Sequence, residues 1–145
     1  LLASSAASDV YKRQPLKSVD TINKEKNLLT ENIKNVSTRY KKKLKPYAKS
    51  RPSYAKGQIE KVWENAKDPL IGKVYDPTGK EIIWDRTKPR KGQWDMGHIP
   101  GEKYSEVYEL YMNDVITKEE FLEWYRNPDN YRPELPSTNR GHKYE

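Results

Sequence analysis

Cysteine is absent from all 145 residues, so no disulfide and no cysteine-bound zinc can hold the fold together. Any metal would have to rest on His, Asp, Glu, Asn or water. Histidine is nearly absent too, and imidazole chemistry is confined to His98 and His142. No apolar run approaches the roughly 20 residues that a membrane-crossing helix requires. The opening Leu-Leu-Ala-Ser-Ser-Ala-Ala is short and lacks the basic start of a secretory signal. Phenylalanine occurs once, whereas there are 4 Trp and 11 Tyr, nearly all beyond residue 40. A core built from these rings therefore belongs to the back two-thirds of the chain.

The net charge of +7 is distributed unevenly. Residues 15–50 carry ten basic and three acidic groups, while residues 51–145 carry sixteen and seventeen. A run such as Arg39-Tyr-Lys-Lys-Lys-Leu-Lys45 can neutralise phosphates, but it reads first as a solvated linker, so the high overall basicity is no argument for a nucleic-acid partner. Ser8-Asp-Val-Tyr-Lys-Arg-Gln14 reads as a translated transposon-end sequencing adapter. Residues 1–14 are accordingly expected to be an artefact, and the rest the C-terminal part of a longer protein. The expected organisation is a basic helical linker over 15–50 and one domain over 51–145.

Apolar residues Ile22, Leu29, Ile33, Val36, Tyr40 and Leu44 recur at helical spacing, which predicts a helix from Asp20 to about Leu44, capped by Asp20 or Thr21. Pro52 and Gly57 then break the pattern. A short amphipathic helix follows over Gln58–Lys67, and Lys73–Trp84 reads as strand, Pro-Thr-Gly turn and strand. Trp94–Gly101 is expected to be extended and to turn at Gly97. Two short helices, divided at Asn113-Asp114, fill Glu102–Arg126. Asn127 and Asn130 suit turns around Pro128-Asp129, Asn130–Glu134 is extended, and a last helix runs from Pro136 to Glu145 with Ser137 as cap.

On such a last helix Asn139, His142 and Glu145 are spaced by three residues and lean toward one point. A turn at Gly97 would redirect His98 to the same cleft, although extended backbone alone would put Asp95 and His98 on opposite faces. One divalent ion between strand and helix would then satisfy Asp95 and His142 and leave His98 free as a base. Arg86, Lys88, Arg90, Lys91 and Arg140 could grip a phosphate backbone on either side. Each of these residues also has a plainer reading. A single His or Asp in a polar chain is more often a surface or hydrogen-bonded structural group, and Trp94 and Tyr131 are more often core than stacking platforms.

The order Asp95-Met-Gly-His-Ile-Pro100, then Asn127-Pro-Asp-Asn-Tyr-Arg-Pro133, then Asn139-Arg-Gly-His142 resembles the HNH (ββα-metal) nucleases. Gly92-Gln-Trp-Asp-Met-Gly-His-Ile-Pro-Gly101 with the terminal Ser137-Thr-Asn-Arg-Gly-His-Lys-Tyr-Glu145 more closely resembles the GH-E branch of the HNH/endonuclease VII superfamily, found as C-terminal toxin domains of bacterial polymorphic toxins. The resemblance covers about residues 51–145. It implies an α+β fold with a ββα-metal core, here with added helices and a β-hairpin and preceded by a basic helical extension. The paired cysteines of many HNH proteins are missing, and two helices stand between the histidine stretches.

By the same resemblance His98 matches the general base that deprotonates water, and Asp95 and His142 match the metal ligands. Asn130 matches the amide that orients the base, Asn139 the helix asparagine, and Glu145 the terminal acid. The implied cofactor is one divalent ion, Mg2+ first, with Zn2+, Mn2+ or Ni2+ as alternatives. The implied activity is that of a metal-dependent endonuclease toxin cutting nucleic acid, DNA favoured, in a competing bacterium. Its expected partners are the nucleic acid and a cognate immunity protein. It would reach the target cytoplasm as the C-terminal part of a larger secreted or delivered toxin. A metal-free ribonuclease, a non-catalytic nucleic-acid-binding module and a purely structural metal site are the competing readings.

Overall fold

The computed structural model describes residues 16–145, so the expected adapter at 1–14 lies outside the described residues. Two compact units divide between Lys41 and Lys42. Helix α1 (Val19–Leu44) supplies the described part of the first. Its cap is Ser18 rather than Asp20 or Thr21: the Ser18 hydroxyl accepts from the Thr21 backbone N–H at 3.2 Å, which puts Asp20 inside the first turn. The apolar stripe of α1 remains exposed, with Leu29 at 62% and Ile33 at 61%. No helix among the described residues is long and apolar enough to cross a membrane.

The second unit takes in residues 42–50 as well, because Lys45 donates to the Tyr111 carbonyl at 2.8 Å and pairs with Asp114. Tyr108 and Tyr111 likewise donate their hydroxyls to the carbonyls of Ala48 and Pro46. Helix α2 (Gln58–Ala66) follows Gly57, whose φ of 76° suits a residue without a Cβ. It buries Val62 and Trp63. A small hairpin pairs β1 (Val74–Tyr75) with β2 (Glu81–Ile82). Trp63, Trp84 and Trp94 meet in pairs with centroids 5.1–5.3 Å apart, at the tilted and edge-on angles that aromatic quadrupoles favour. With Val74, Ile82, Met96 and Tyr131 they form the main core.

Strand β3 (Asp95–His98) is followed by α3 (Tyr104–Met112) and α4 (Lys118–Arg126), which bury Tyr111, Met112 and Phe121 in a second cluster. Thr117 and Glu120 cap α4 reciprocally. After a 3-10 turn at Pro128–Asn130, initiated as expected by the Asn127 side chain, β4 (Tyr131–Glu134) returns antiparallel to β3, and α5 (Pro136–Gly141) packs against β3. The α+β architecture with a β3–β4–α5 unit agrees with the expected ββα core, the hairpin and added helices included.

Two local expectations are corrected. Gly97 is no turn: it lies within β3 opposite Arg132, and the chain turns only afterwards, at Gly101 with φ 85°. Gly97 is required because the buried Glu134 side chain lies across it. Helix α5 ends at Gly141 with His142 in the left-handed region at φ 52°, so it does not run to Glu145, and its cap position is Leu135 rather than Ser137.

A Cβ at Gly97 would come within 2.7 Å of Glu134 Cγ and Oε1, and Glu134 is only 2% exposed and cannot swing away. Gly97→Ala should therefore lower stability by about 1–3 kcal/mol, the usual range for overpacking. Urea denaturation of parent and variant measures this, and an unchanged midpoint would show that Glu134 is free to move.

Candidate active site

Strand alternation sends Asp95 and Gly97 to one face of β3 and Met96 and His98 to the other. His98 is 6% exposed and pairs across the ladder with Tyr131, whose ring centroid lies 4.5 Å away. The Trp124 ring stacks parallel to it at 5.3 Å and 3°. Trp124 is itself fixed, its indole N–H donating to Glu102 at 2.5 Å and its carbonyl accepting from the Asn130 amide at 2.9 Å. Asn130 thus reaches the base through Trp124 and not by a hydrogen bond to the imidazole.

His98 Nε2 is buried with no hydrogen-bond partner. Burial first, then the positive charge of Arg51, push the imidazole down from its ordinary 6.5 to about 4, against the opposing pull of Glu145. The aromatic wall that holds His98 thus also makes it a weak base.

His98 opens on a cleft of about 150 Å³ that Asn139, His142 and Glu145 also line, together with Arg51, Met96, Lys103, Tyr104 and Ser105. The convergence expected of Asn139, His142 and Glu145 is present, but a continuous helix does not produce it. Beyond the left-handed His142 the chain is held by Arg132, which donates to the Tyr144 carbonyl at 2.7 Å and to Glu134 at 2.8 Å. This folds the C-terminal residues back, and His142 Nδ1 meets Glu145 Oε1 at 2.7 Å. A carboxylate only accepts, so Nδ1 carries the proton and Nε2 is the unprotonated ring nitrogen.

Asp95 stands apart from this group. Its carboxylate accepts from the Asn139 amide at 3.3 Å and faces the Arg140 guanidinium at 3.9 Å. Among the described residues no three His, Cys, Asp or Glu side chains gather as a metal cage. The two expected ligands thus rest on different partners, Asp95 on Asn139 and Arg140 and His142 on Glu145.

The expected phosphate-gripping residues lie outside the cleft lining. Arg86 is committed to Glu60 at 2.7 and 2.5 Å and lies over the Trp84 ring. Arg90 donates to the Trp94 carbonyl at 2.6 Å, Lys88 faces Asp85 at 3.7 Å, Lys91 is exposed, and Arg140 faces Asp95.

Three residues passed unnoticed in the sequence. Asp76, 3% exposed at the hairpin turn, accepts from the Leu135 N–H at 2.7 Å and the Thr138 hydroxyl at 2.8 Å, besides Thr78, and so pins the start of α5. Burial raises its pKa, but these hydrogen bonds together outweigh burial and leave it lowered. Glu134 is the second and Arg51 the third. Asp-Pro-Thr-Gly read only as a turn, and Arg51 only as part of a boundary.

Residues 71–145 match the family model described as GH-E: HNH/ENDO VII superfamily nuclease with conserved GHE residues. The matched segment contains Gly97-His98, Glu134 against Gly97 and Glu145 in the cleft. No solved structure matches the chain.

Acid should expose the strain at His98. As pH falls from 6.5 toward 4 the unfolded chain takes up a proton that folded His98 refuses, so stability present above 6.5 is lost through this window, by roughly 3 kcal/mol in all. Burial raises the Glu134 carboxyl, which acts in the opposite sense, so the comparison is with His98→Gln. Urea midpoints at pH 7 and pH 4 should drop further for the parent than for the variant; parallel curves would mean that His98 is not held neutral.

Asp76→Ala leaves Leu135 N–H and Thr138 without their acceptor and should cost about 1–3 kcal/mol. Amide exchange should rise first in residues 135–142. Exchange that rises uniformly over the chain would deny Asp76 its local anchoring role.

Proposed function

The chain belongs to the GH-E family of HNH/ENDO VII superfamily nucleases, and from that premise we propose that residues 42–145 are an endonuclease that hydrolyses internal phosphodiester bonds, DNA first. The observation that carries this reading is the convergence of His98, Asn139, His142 and Glu145 on one cleft. A delivered toxin is the biological setting we propose, acting in the cytoplasm of a competing bacterium and restrained in the producer by an immunity protein, as the likeness to polymorphic-toxin domains implies.

Hydrolysis needs a proton removed from the attacking water and one supplied to the departing oxygen. His98 is neutral at physiological pH and offers an imidazole nitrogen to the water proton. A phosphodiester beside it brings negative charge, which offsets Arg51 and raises the basicity that burial suppresses. His142, oriented by Glu145, lines the cleft; in its protonated form it gives its Nε2 proton to the departing oxygen as the P–O bond breaks. Asn139 ties the cleft to Asp95 and sets the distance between strand and helix.

Proton transfer of this kind supplies about 10²–10⁴ in rate, whereas enzymes typically reach 10⁶ or more. Charge stabilisation at the phosphate must supply the remainder. HNH/ENDO VII nucleases are generally metal-dependent, and we accordingly propose a divalent ion, Mg2+ before Zn2+, Mn2+ or Ni2+, which supplies such stabilisation when bound. Asp95 and His142, the ligands the resemblance implies, are the residues that would hold it.

A ribonuclease is the second reading, favoured by the presence of two imidazoles on one cleft. There the substrate's own 2′-hydroxyl would replace water as nucleophile, and two histidines would suffice.

The full chain should nick supercoiled plasmid, and His98→Ala should lose at least about a hundredfold in rate at unchanged circular dichroism. Chelator and an all-RNA substrate separate the two readings: cutting of RNA alone, insensitive to chelator, selects the ribonuclease. Parent protein that binds but cuts neither polymer with Mg2+, Mn2+, Zn2+ or Ni2+ would falsify the nuclease reading and leave a binding module.

A further inference from the structure

Every basic side chain expected to hold phosphate is occupied by a carboxylate or carbonyl, or lies away from the cleft, except that one unforeseen residue satisfies both requirements. Arg51 lines the cleft with His98 and His142, and among the described residues its guanidinium makes no ion pair and no side-chain hydrogen bond. It lies over the Tyr104 ring at 4.0 Å, an arrangement that fixes the plane of a guanidinium and leaves its N–H fork available.

The backbone behind it is anchored. Pro52 is buried, the Ser53 carbonyl accepts from Arg126 at 3.4 Å, and Tyr54 stacks on Tyr125 at 5.4 Å and 5°. Lys103, the other cation of the cleft, faces Glu145 at 3.9 Å and is already compensated. The cleft of about 150 Å³ has room for a phosphate group. Arg51 also lies upstream of the segment that matches the family, residues 71–145.

The geometry points to Arg51 as the residue that grips the scissile phosphate beside His98, an inference that rests on the nuclease reading and names the group that binds its substrate. A planar fork presents paired donors to two phosphate oxygens, which a lysine cannot reproduce. The grip would also account for a cation placed where it disfavours protonation of the neighbouring imidazole: the phosphate cancels its charge when substrate enters.

The test uses the full chain and a short fluorescein-labelled DNA duplex in chelator, with affinity followed against salt. Arg51→Gln keeps a planar amide over Tyr104 but loses the charge, so packing alone cannot explain its effect. It should weaken binding and reduce the slope of log K against log salt by about one, the value of one phosphate contact. Arg51→Lys should restore the slope but not the rate, and Lys118→Gln, an exposed change on α4, should alter neither.

In plasmid cleavage Arg51→Gln should lose about ten- to hundredfold in kcat/KM. Slope, affinity and cleavage all equal to those of Lys118→Gln would overturn the assignment while the nuclease reading stood. A parent that binds but never cuts removes the nuclease reading, and the salt slope still decides Arg51. A parent that binds neither this duplex nor an RNA of the same sequence overturns both.

Discussion

The antiparallel pairing of β3 with β4 sets His98 opposite Tyr131 and Gly97 opposite Arg132, and each position fixes one wall of the cleft. On one face the imidazole is pressed between Tyr131 and Trp124. On the other, Glu134 lies across the bare Cα of Gly97 and holds Arg132, whose guanidinium retains the Tyr144 carbonyl. A register slip of one residue would turn His98 to the opposite face and place a side chain where Glu134 now lies. The register therefore specifies the site as much as the fold.

A chain without cysteine has no disulfide and no thiolate-bound zinc to clamp a ββα unit of this size. Hydrogen-bonded ions take that part here. Asp76 joins the hairpin to the start of α5, and Arg132 joins β4 to the C-terminal residues, so both ends of the segment bearing Asn139, His142 and Glu145 are tied to sheet elements. Such ties differ from a metal clip in their response to solution conditions. The Asp76 carboxylate and the Glu134 carboxylate that braces Arg132 can both be neutralised by acid, so the positioning of the site depends on protonation.

Periodicity carried the long-range outline well, because α1, α2, α3 and α4 have apolar residues at helical steps and Pro-Thr-Gly marks the hairpin turn. It failed where a tertiary partner decides the local conformation. Gly97 read as a turn because glycine commonly marks one, yet its reason is the Glu134 side chain, which lies in a strand thirty-odd residues away. The Asn139, His142 and Glu145 spacing pointed to the right cleft by a helical route the chain does not take, since α5 stops at Gly141. Asp76 and Arg51 left no motif to find: what distinguishes them is burial in one case and the absence of a counter-ion in the other, and neither is a property of spacing.

The electrostatics of the cleft bring these constraints together. His98 is surrounded by rings that exclude water, with Arg51 on one side of the balance and Glu145 on the other. In that setting a proton on His98 is costly, and the cost falls when negative charge arrives, because a low local dielectric strengthens attraction and repulsion alike. Glu145 cannot remove the penalty alone, as it is shared between His142 Nδ1 and Lys103. An anionic backbone is the ligand that relieves Arg51 and the imidazole together, and its approach couples binding to basicity: the same phosphate that Arg51 holds raises the proton affinity His98 needs to act on it. A neutral ligand of equal size would gain no such coupling, so the charge layout favours an anion before any base is read.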